Sequence, residues 1–379
     1  MSFHTLISSA HAYQILRAGG LDPDHIITMM YNDVPYDPLN PFPGELYNYP
    51  GDSPNVYEGI VIDYEGEDVT PENLIKVLLG DESTGKKVLK STETDNIFFY
   101  YSDHGAPDLL AMPVDTSIHP ESRGYLYSDD LYDAVVTMHD KRMYNKFVFY
   151  IEACYSGSMF MNYPTDLNVV AVTAANPDES SYAEFCGSDA VVKDVYLDTC
   201  LSDEFSNAWM HHVDETQGQA TETLEQQFEY LVNTVMMSEV SQYGDLSFQD
   251  DVIGEFIGYP TRRNRRNIRS RNVMSTQKWD SRDNKLLFLQ FKANRTRGAE
   301  HDKWIAEVSK ELERRRTVEA YFHSLTSEPS MFRIAKHANH LDCYKRAIAQ
   351  FEKDIGYSDY ALKYYDVLAN MCNSNPNAF

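Results

Sequence analysis

Two stretches of this 379-residue chain place a chemically useful side chain beside a glycine at the end of an apolar run. One is Asn96-Ile97-Phe98-Phe99-Tyr100-Tyr101 followed by Ser102-Asp103-His104-Gly105. The other is Lys146-Phe147-Val148-Phe149-Tyr150-Ile151 followed by Glu152-Ala153-Cys154-Tyr155-Ser156-Gly157-Ser158. A histidine and a cysteine held side by side can share a proton. The imidazole then helps generate a thiolate, which is the attacking species. Gly105 lets a backbone N–H approach a substrate closely. That N–H and the N–H of Cys154 can hold the oxyanion of a tetrahedral intermediate. Each half alone is weak, because a cysteine at a strand end is usually buried core and His-Gly turns are common. Together they point to nucleophilic catalysis.

The elements that must position them read as an α/β sheet with helices on both sides. The two apolar runs and Asn168–Thr173 lack alternation, which fits parallel strands covered on both faces. Ile26–Met30 is a fourth expected strand. Helices are expected over Ala10–Arg17, over Thr70–Leu79 opened by Thr70-Pro71-Glu72, and over Ser128–His139 opened by Ser128-Asp129-Asp130. Such sheets gather catalytic groups at the carboxyl ends of their strands. A long amphipathic helix is expected over Glu222–Ser238. The run Thr261–Asn272 is basic and without period, and reads as an exposed linker. After it, Trp279–Lys292, Trp304–Ser324 and Asp359–Met371 have helical spacing. The expected organisation is therefore a domain over 1–258, a linker over 259–275 and a small helical domain over 276–379. No internal repeat or low-complexity segment occurs.

Charge divides at the same place. Residues 1–260 carry ten basic and 44 acidic side chains, and residues 261–379 carry 23 and 14. An acidic domain and a basic one can attract each other within one chain. The acidic part argues against a nucleic-acid partner. No run of about 18 apolar residues occurs, so no membrane span is expected. The first residues lack the basic and apolar regions of a signal peptide. The five cysteines suggest two local pairs, Cys186 with Cys200 and Cys343 with Cys372. That leaves Cys154 alone as a candidate nucleophile. The alternative is that all five are free, as in a reducing cytosol.

Four stretches resemble the legumain, or asparaginyl endopeptidase, family of caspase-like peptidases. They are Ser102–Ala106, Glu152–Met159, Thr173–Tyr182 and Cys200–Asp203. The resemblance covers nearly the whole chain. The spacing of about 50 residues between His104 and Cys154 is also that of the caspase dyad. The resemblance implies a caspase-like, mostly parallel sheet flanked by helices, followed by a helical prodomain. It implies His104 and Cys154 as the dyad, with Gly105 and Cys154 as oxyanion-hole amides. Glu152, Ser180 and Asp203 match the pocket for the side chain before the cut, and Ser181 lies in the same motif. It implies cleavage after Asn (and after Asp at low pH), with no cofactor and no metal. Partners are Asn-containing peptides or proteins and the chain's own prodomain as inhibitor. Asp103 matches a position linked in some relatives to ligase activity, so transpeptidation is a possible side reaction. The bridged pairs and the sequon Asn294-Arg295-Thr296 fit an oxidising, lysosome-like, vacuolar or secreted setting. Asn264, Asn267 and Asn272 are candidate self-cleavage sites, and acidification is expected to loosen the prodomain.

Two departures stand out. Family members begin with a strand followed by an Arg-His pair. Here those two positions fall on His4 and Thr5, and no strand precedes them. Tyr155 also stands where many members have an acidic residue. Two further readings remain: an impaired relative that acts by binding, and the transamidase that attaches lipid anchors. The serine-bearing pocket segment and the helical C-terminal region favour the legumain type over the latter.

Overall fold

Asn96–Ser102 and Lys146–Glu152 are neighbouring parallel strands in the computed structural model, which describes residues 3–113, 124–216, 218–260, 275–335 and 337–379. They are named here the histidine strand and the cysteine strand. Their register sets Asn96 opposite Lys146 and Ser102 opposite Glu152. Val169–Thr173 runs parallel beyond the cysteine strand, and Ser241–Gly244 pairs antiparallel with it. The sheet is thus mostly parallel, as expected.

Successive side chains of the cysteine strand face opposite sides. Phe147, Phe149 and Ile151 pack with Leu74, Val77, Leu131 and Val135 from the helices Pro71–Leu78 and Ser128–Asp140. Val148 and Tyr150 pack around Trp209, with Ala12 and Ile15 of the helix Phe3–Ala18. Phe147–Glu152 and Val169–Thr173 are buried throughout. That is why these runs are apolar at every position rather than at alternate ones.

Several boundaries differ from expectation for local reasons. Thr70 caps its helix as expected, its hydroxyl accepting from Asn73 N–H at 3.1 Å. Ser128 does not cap its own helix. Its hydroxyl donates instead to Asp108 at 3.0 Å. The helix over Glu222–Ser238 is confined to Leu224–Thr234. Beyond it, the N–H groups of Met236 and Met237 turn to the Glu204 carboxylate at 2.8 and 3.1 Å. Of Ile26–Met30 only Met29–Met30 is strand, paired with Tyr64–Glu65. Thr28 N–H is taken by the Asp63 side chain at 2.9 Å. The first helix starts at Phe3 rather than Ala10.

Among the described residues, the histidine strand has a strand neighbour on one side only. Along its other side runs a cavity of about 1350 Å³, bounded by Leu6, Tyr13, Ile27, Leu74 and Leu78. Phe98–Tyr101 are consequently only half-buried. The histidine strand is thus an edge strand of this sheet among the described residues.

A second sheet sets Tyr182–Cys186 between Cys200–Asp203 and Trp279–Asp280, all antiparallel. Cys186 and Cys200 face each other in register and are bonded, and Cys343 is bonded to Cys372. Cys154 is free and buried. The C-terminal residues form the helices Asn284–Arg295, Gly298–Leu325, Leu341–Ile355 and Tyr365–Ser374. Trp279–Asp280, expected as helix, is strand, and Asp359–Tyr364 is a tight 3-10 turn. The helix Leu341–Ile355 was not foreseen. Its buried Cys343, Tyr344, Ala347, Ile348 and Phe351 nonetheless recur at helical spacing. Ala106, Leu109, Ala111 and Tyr125 share one core with these helices. The basic run with Asn264, Asn267 and Asn272 lies outside the described residues. No helix among the described residues is long and apolar enough to cross a membrane.

The open edge has a measurable consequence. Amides of Phe98–Tyr101 should exchange hydrogen faster than those of Phe147–Ile151 by more than about tenfold, because unpaired edges open locally at lower cost. Equal protection of both strands in exchange mass spectrometry would contradict this.

Candidate active site

Since Ser102 lies opposite Glu152, the histidine and cysteine strands leave the sheet at the same edge. His104 and Cys154 each follow two residues later, and both are buried. A Cβ on Gly105 would stand 2.2 Å from the carbonyl oxygen of Cys154. Only glycine therefore lets the two turns lie against each other. Tyr155, directly after the cysteine, is left-handed at φ 56° and ψ 16°. His104 N–H is held by the Asp103 carboxylate at 2.8 Å.

The expected pocket residues gather nearby. Ser181 N–H donates to Cys154 Sγ at 3.2 Å. Ser206 donates to Glu152 Oε2 from both its N–H and its hydroxyl, each at 2.8 Å. Ser102 donates to Asp203 Oδ2 at 3.3 Å, with Ser8 at 3.5 Å. Glu152 and Asp203 are both buried. Burial, and then the charge of Asp203, push the Glu152 carboxyl well above the usual carboxylate range. His4, at the family's Arg position, has no described side chain, and Thr5 is buried in the first helix. Among the described residues no group of His, Cys, Asp and Glu is placed to hold a metal.

The C-terminal region lies against the cleft; the sequence signals the docking of the two regions through their charge, but not the residues that make the contact. Ser281 Oγ lies 3.2 Å from Cys154 Sγ. Ser180, expected in the pocket, donates to Asp280 at 2.8 Å. Arg282 is buried, bonds Ser180 and stacks over the Tyr155 ring. Burial alone would lower the Arg282 pKa, but the adjacent Cys154 and Asp280 charges raise it above the ordinary value. Asp359 approaches His104 Nε2 at 3.6 Å. The Tyr155 hydroxyl donates to Asp366 at 2.8 Å, and Ala335 N–H does so at 2.8 Å. The charge division also reappears in space. Lys345 meets Asp129 and Asp130, and Lys292 and Arg295 meet Asp198.

The family model of the Peptidase C13 family matches residues 2–259. The chain belongs to the Peptidase C13 family. It is similar to hemoglobinase of Schistosoma mansoni, 42% identical over 250 residues, covering 65% of this chain and 54% of that protein. It is also similar to legumain of Mus musculus, 35% identical over 386 residues, covering 97% of this chain and 84% of the relative. The delta-isozyme of the vacuolar-processing enzyme of Arabidopsis thaliana is 35% identical over 402 residues, covering 96% and 82%. The C13 chain thus spans about half the length of the hemoglobinase.

Burial raises the Asp366 carboxyl to about 6, against the lowering effect of Ala335 N–H and Tyr155. A carboxyl raised on folding binds its proton more tightly in the folded chain. Its charge therefore costs stability above pH 6, and that cost fades between about pH 6 and 4. Asp366→Asn should raise the melting temperature more at pH 7.5 than at pH 4.5. Identical shifts at both pH values would remove Asp366 as the titrating group.

Proposed function

We propose that this chain is a cysteine endopeptidase that cuts after asparagine and is made as an inactive precursor. The observation that carries it is the joint placement of His104 and Cys154 at one sheet edge beside the buried Glu152 and Asp203. Cys154 passes its proton to His104, and the thiolate attacks the carbonyl carbon. The oxyanion lies against the N–H groups of Gly105 and Cys154. The imidazolium gives its proton to the leaving amine. Water, activated by His104, then releases the acyl group. An incoming peptide amine in place of water gives transpeptidation.

An asparagine side chain offers one carbonyl acceptor and two N–H donors. Asp203 supplies an acceptor. Glu152, its carboxyl raised by burial and by Asp203 towards the protonated form, would supply a donor at Oε1, an atom with no hydrogen-bond partner among the described residues. This O–H replaces the donor that an arginine gives in the family pattern. Ser180 and Ser181 add hydroxyls. Such a pocket rejects apolar side chains strongly. A protonated aspartate offers the same acceptor and one donor, which accounts for Asp cleavage at low pH.

Ser281, Arg282 and Asp359 support reading the C-terminal region as an inhibitor in cis. Cutting within the linker, at Asn264, Asn267 or Asn272, is the proposed maturation step. Acid acts on this contact in two directions. Asp366, and His337 raised by its hydrogen bond to Asp108, favour docking as pH falls towards 5. Carboxylates of ordinary acidity lose charge only around pH 4, and attraction then falls. The names of the relatives and the two disulfides favour a lysosomal or vacuolar compartment. The exposed Asn294 of the sequon agrees with it. A second reading, a relative that binds without turnover, is favoured by the cavity that leaves the histidine strand unsupported on one side.

A fluorogenic Asn-peptide assayed near pH 5 separates the two. Turnover should fall more than about a thousand-fold in Cys154→Ala and in His104→Ala. Peptides with Leu or Gln in place of Asn should be cut at least about a hundred-fold more slowly. A cleanly folded protein without turnover would establish the binding reading instead.

A further inference from the structure

The segment entering the cleft is laid out as an added strand. Trp279 stands opposite Ala183 and Asp280 opposite Tyr182. The pairing extends further, with Cys186 N–H donating to Gln277 O at 3.1 Å and Ser281 N–H to Ser181 O at 3.4 Å. The chain runs from Gln277 towards Cys154 and meets its sulfur at Ser281. Strand addition is a general way to present an extended peptide to a site. Residues 277–281 therefore take the place of the substrate residues that precede the cut bond.

Side chains of an added strand alternate between two faces. Trp279 packs on Ala183, Phe291 and the Cys186–Cys200 bridge. Lys278 points elsewhere. Its Nζ lies 2.5 Å from Glu204 Oε1 and 3.4 Å from Glu184 Oε1. Both carboxylates are buried, Glu184 at 8% and Glu204 at 3% exposure. Neither is a loose surface acid. Glu184 Oε2 accepts from Asn207 at 2.8 Å, and Glu204 accepts from Met236 and Met237 N–H at 2.8 and 3.1 Å. Glu184 sits on the very strand that pairs with the incoming chain, and Glu204 directly follows the pocket residue Asp203. The site is thus built, connected to the active centre and occupied by a cation.

We propose that Glu184 and Glu204 form a specificity subsite for a lysine or arginine side chain three residues before the residue that delivers its carbonyl to Cys154. Lys278 occupies it as a substrate mimic, three residues before Ser281. Burial raises the Glu184 carboxyl to about 7 against the lowering effect of Lys278, so the pair carries both charges only above that pH, where a neutral guest leaves it uncompensated and an anionic one is repelled. The inference rests on the peptidase reading above and names its substrate class more closely: asparagine preceded at that distance by a basic residue.

The test has two arms. In the first, the self-processed enzyme is given Asn-peptides that differ only at the third position before the Asn, carrying Lys, Gln or Glu. The expected kcat/KM falls in that order, with Lys over Glu by about thirtyfold or more. Glu184→Gln should shrink this ratio at least about fivefold. Equal kcat/KM for all three peptides, or a preference at another position only, would overturn the subsite while leaving the peptidase reading intact. No cleavage of any Asn-peptide would overturn the peptidase reading. The second arm then decides the subsite without turnover. In the intact chain, Lys278→Glu should speed alkylation of Cys154 by iodoacetamide at least about tenfold, whereas Lys278→Arg should not. Equal alkylation rates in both variants would overturn the subsite.

Discussion

The hydrogen-bond register between the histidine strand and the cysteine strand underlies the rest of the molecule. A strand has a period of two, so a slip of one residue would turn every core side chain outward. Phe147, Phe149 and Ile151 on one face, and Val148 and Tyr150 on the other, make such a slip prohibitive. Pairing Ser102 with Glu152 then obliges the two following turns to leave side by side. Gly105 finishes the work by removing the Cβ that would collide with the Cys154 carbonyl. The proximity of the His104 and Cys154 turns is therefore a by-product of core packing. The same core also fixes Glu152, the last residue of its strand, beside Asp203.

The contact between the acidic body and the basic C-terminal region has an outer and an inner part. The outer ion pairs, such as Lys345 with Asp129 and Asp130, are partly solvated. Such pairs contribute about 0–1 kcal/mol each and weaken with salt. The inner part is apolar and hydrogen-bonded. Ala106, Leu109, Ala111 and Tyr125 of the body join the core around Phe322, Tyr344, Phe351 and Tyr365, while Tyr155 meets Asp366. Charge steers the two regions together, and burial holds them. Tyr155, a departure from the acidic residue of many relatives, makes sense here because an acid would face Asp366.

The strands that carry His104 and Cys154, and the shared sheet edge where those residues follow, are legible because each depends on local sequence, whereas Glu152 and Asp203 are singled out only by the family resemblance. An unbroken apolar run announces a strand buried on both faces, and the residues just past it announce the sheet edge. Spacing suggests both disulfides against the alternative of five free thiols, and the structure bonds both pairs. What could not be read depends on distant partners. Ser281, Arg282, Asp359 and Asp366 acquire meaning only when the C-terminal helices fold over the cleft. Trp279–Asp280 looked helical because it continues into a helical pattern, yet Tyr182–Cys186 offers it an edge to pair with. The short Met29–Met30 strand failed for a related reason, since its sheet-side neighbour is a cavity. The left-handed Tyr155 carried no sequence signal at all, because tyrosine has no preference for that conformation.

The C-terminal helices are joined to the body by a single passage of chain, residues 261–274, and are anchored elsewhere by many contacts. While that passage is whole, residues 277–281 meet the cleft as part of one chain, whatever the dilution of the protein. Severing it removes the tether but not the strand pairing at Trp279 or the shared core. A cut molecule is then a two-piece complex, still shut, whose opening obeys mass action. Scission of that passage and departure of residues 277–281 from Cys154 would be separate events, the first irreversible and the second dependent on volume, salt and acidity.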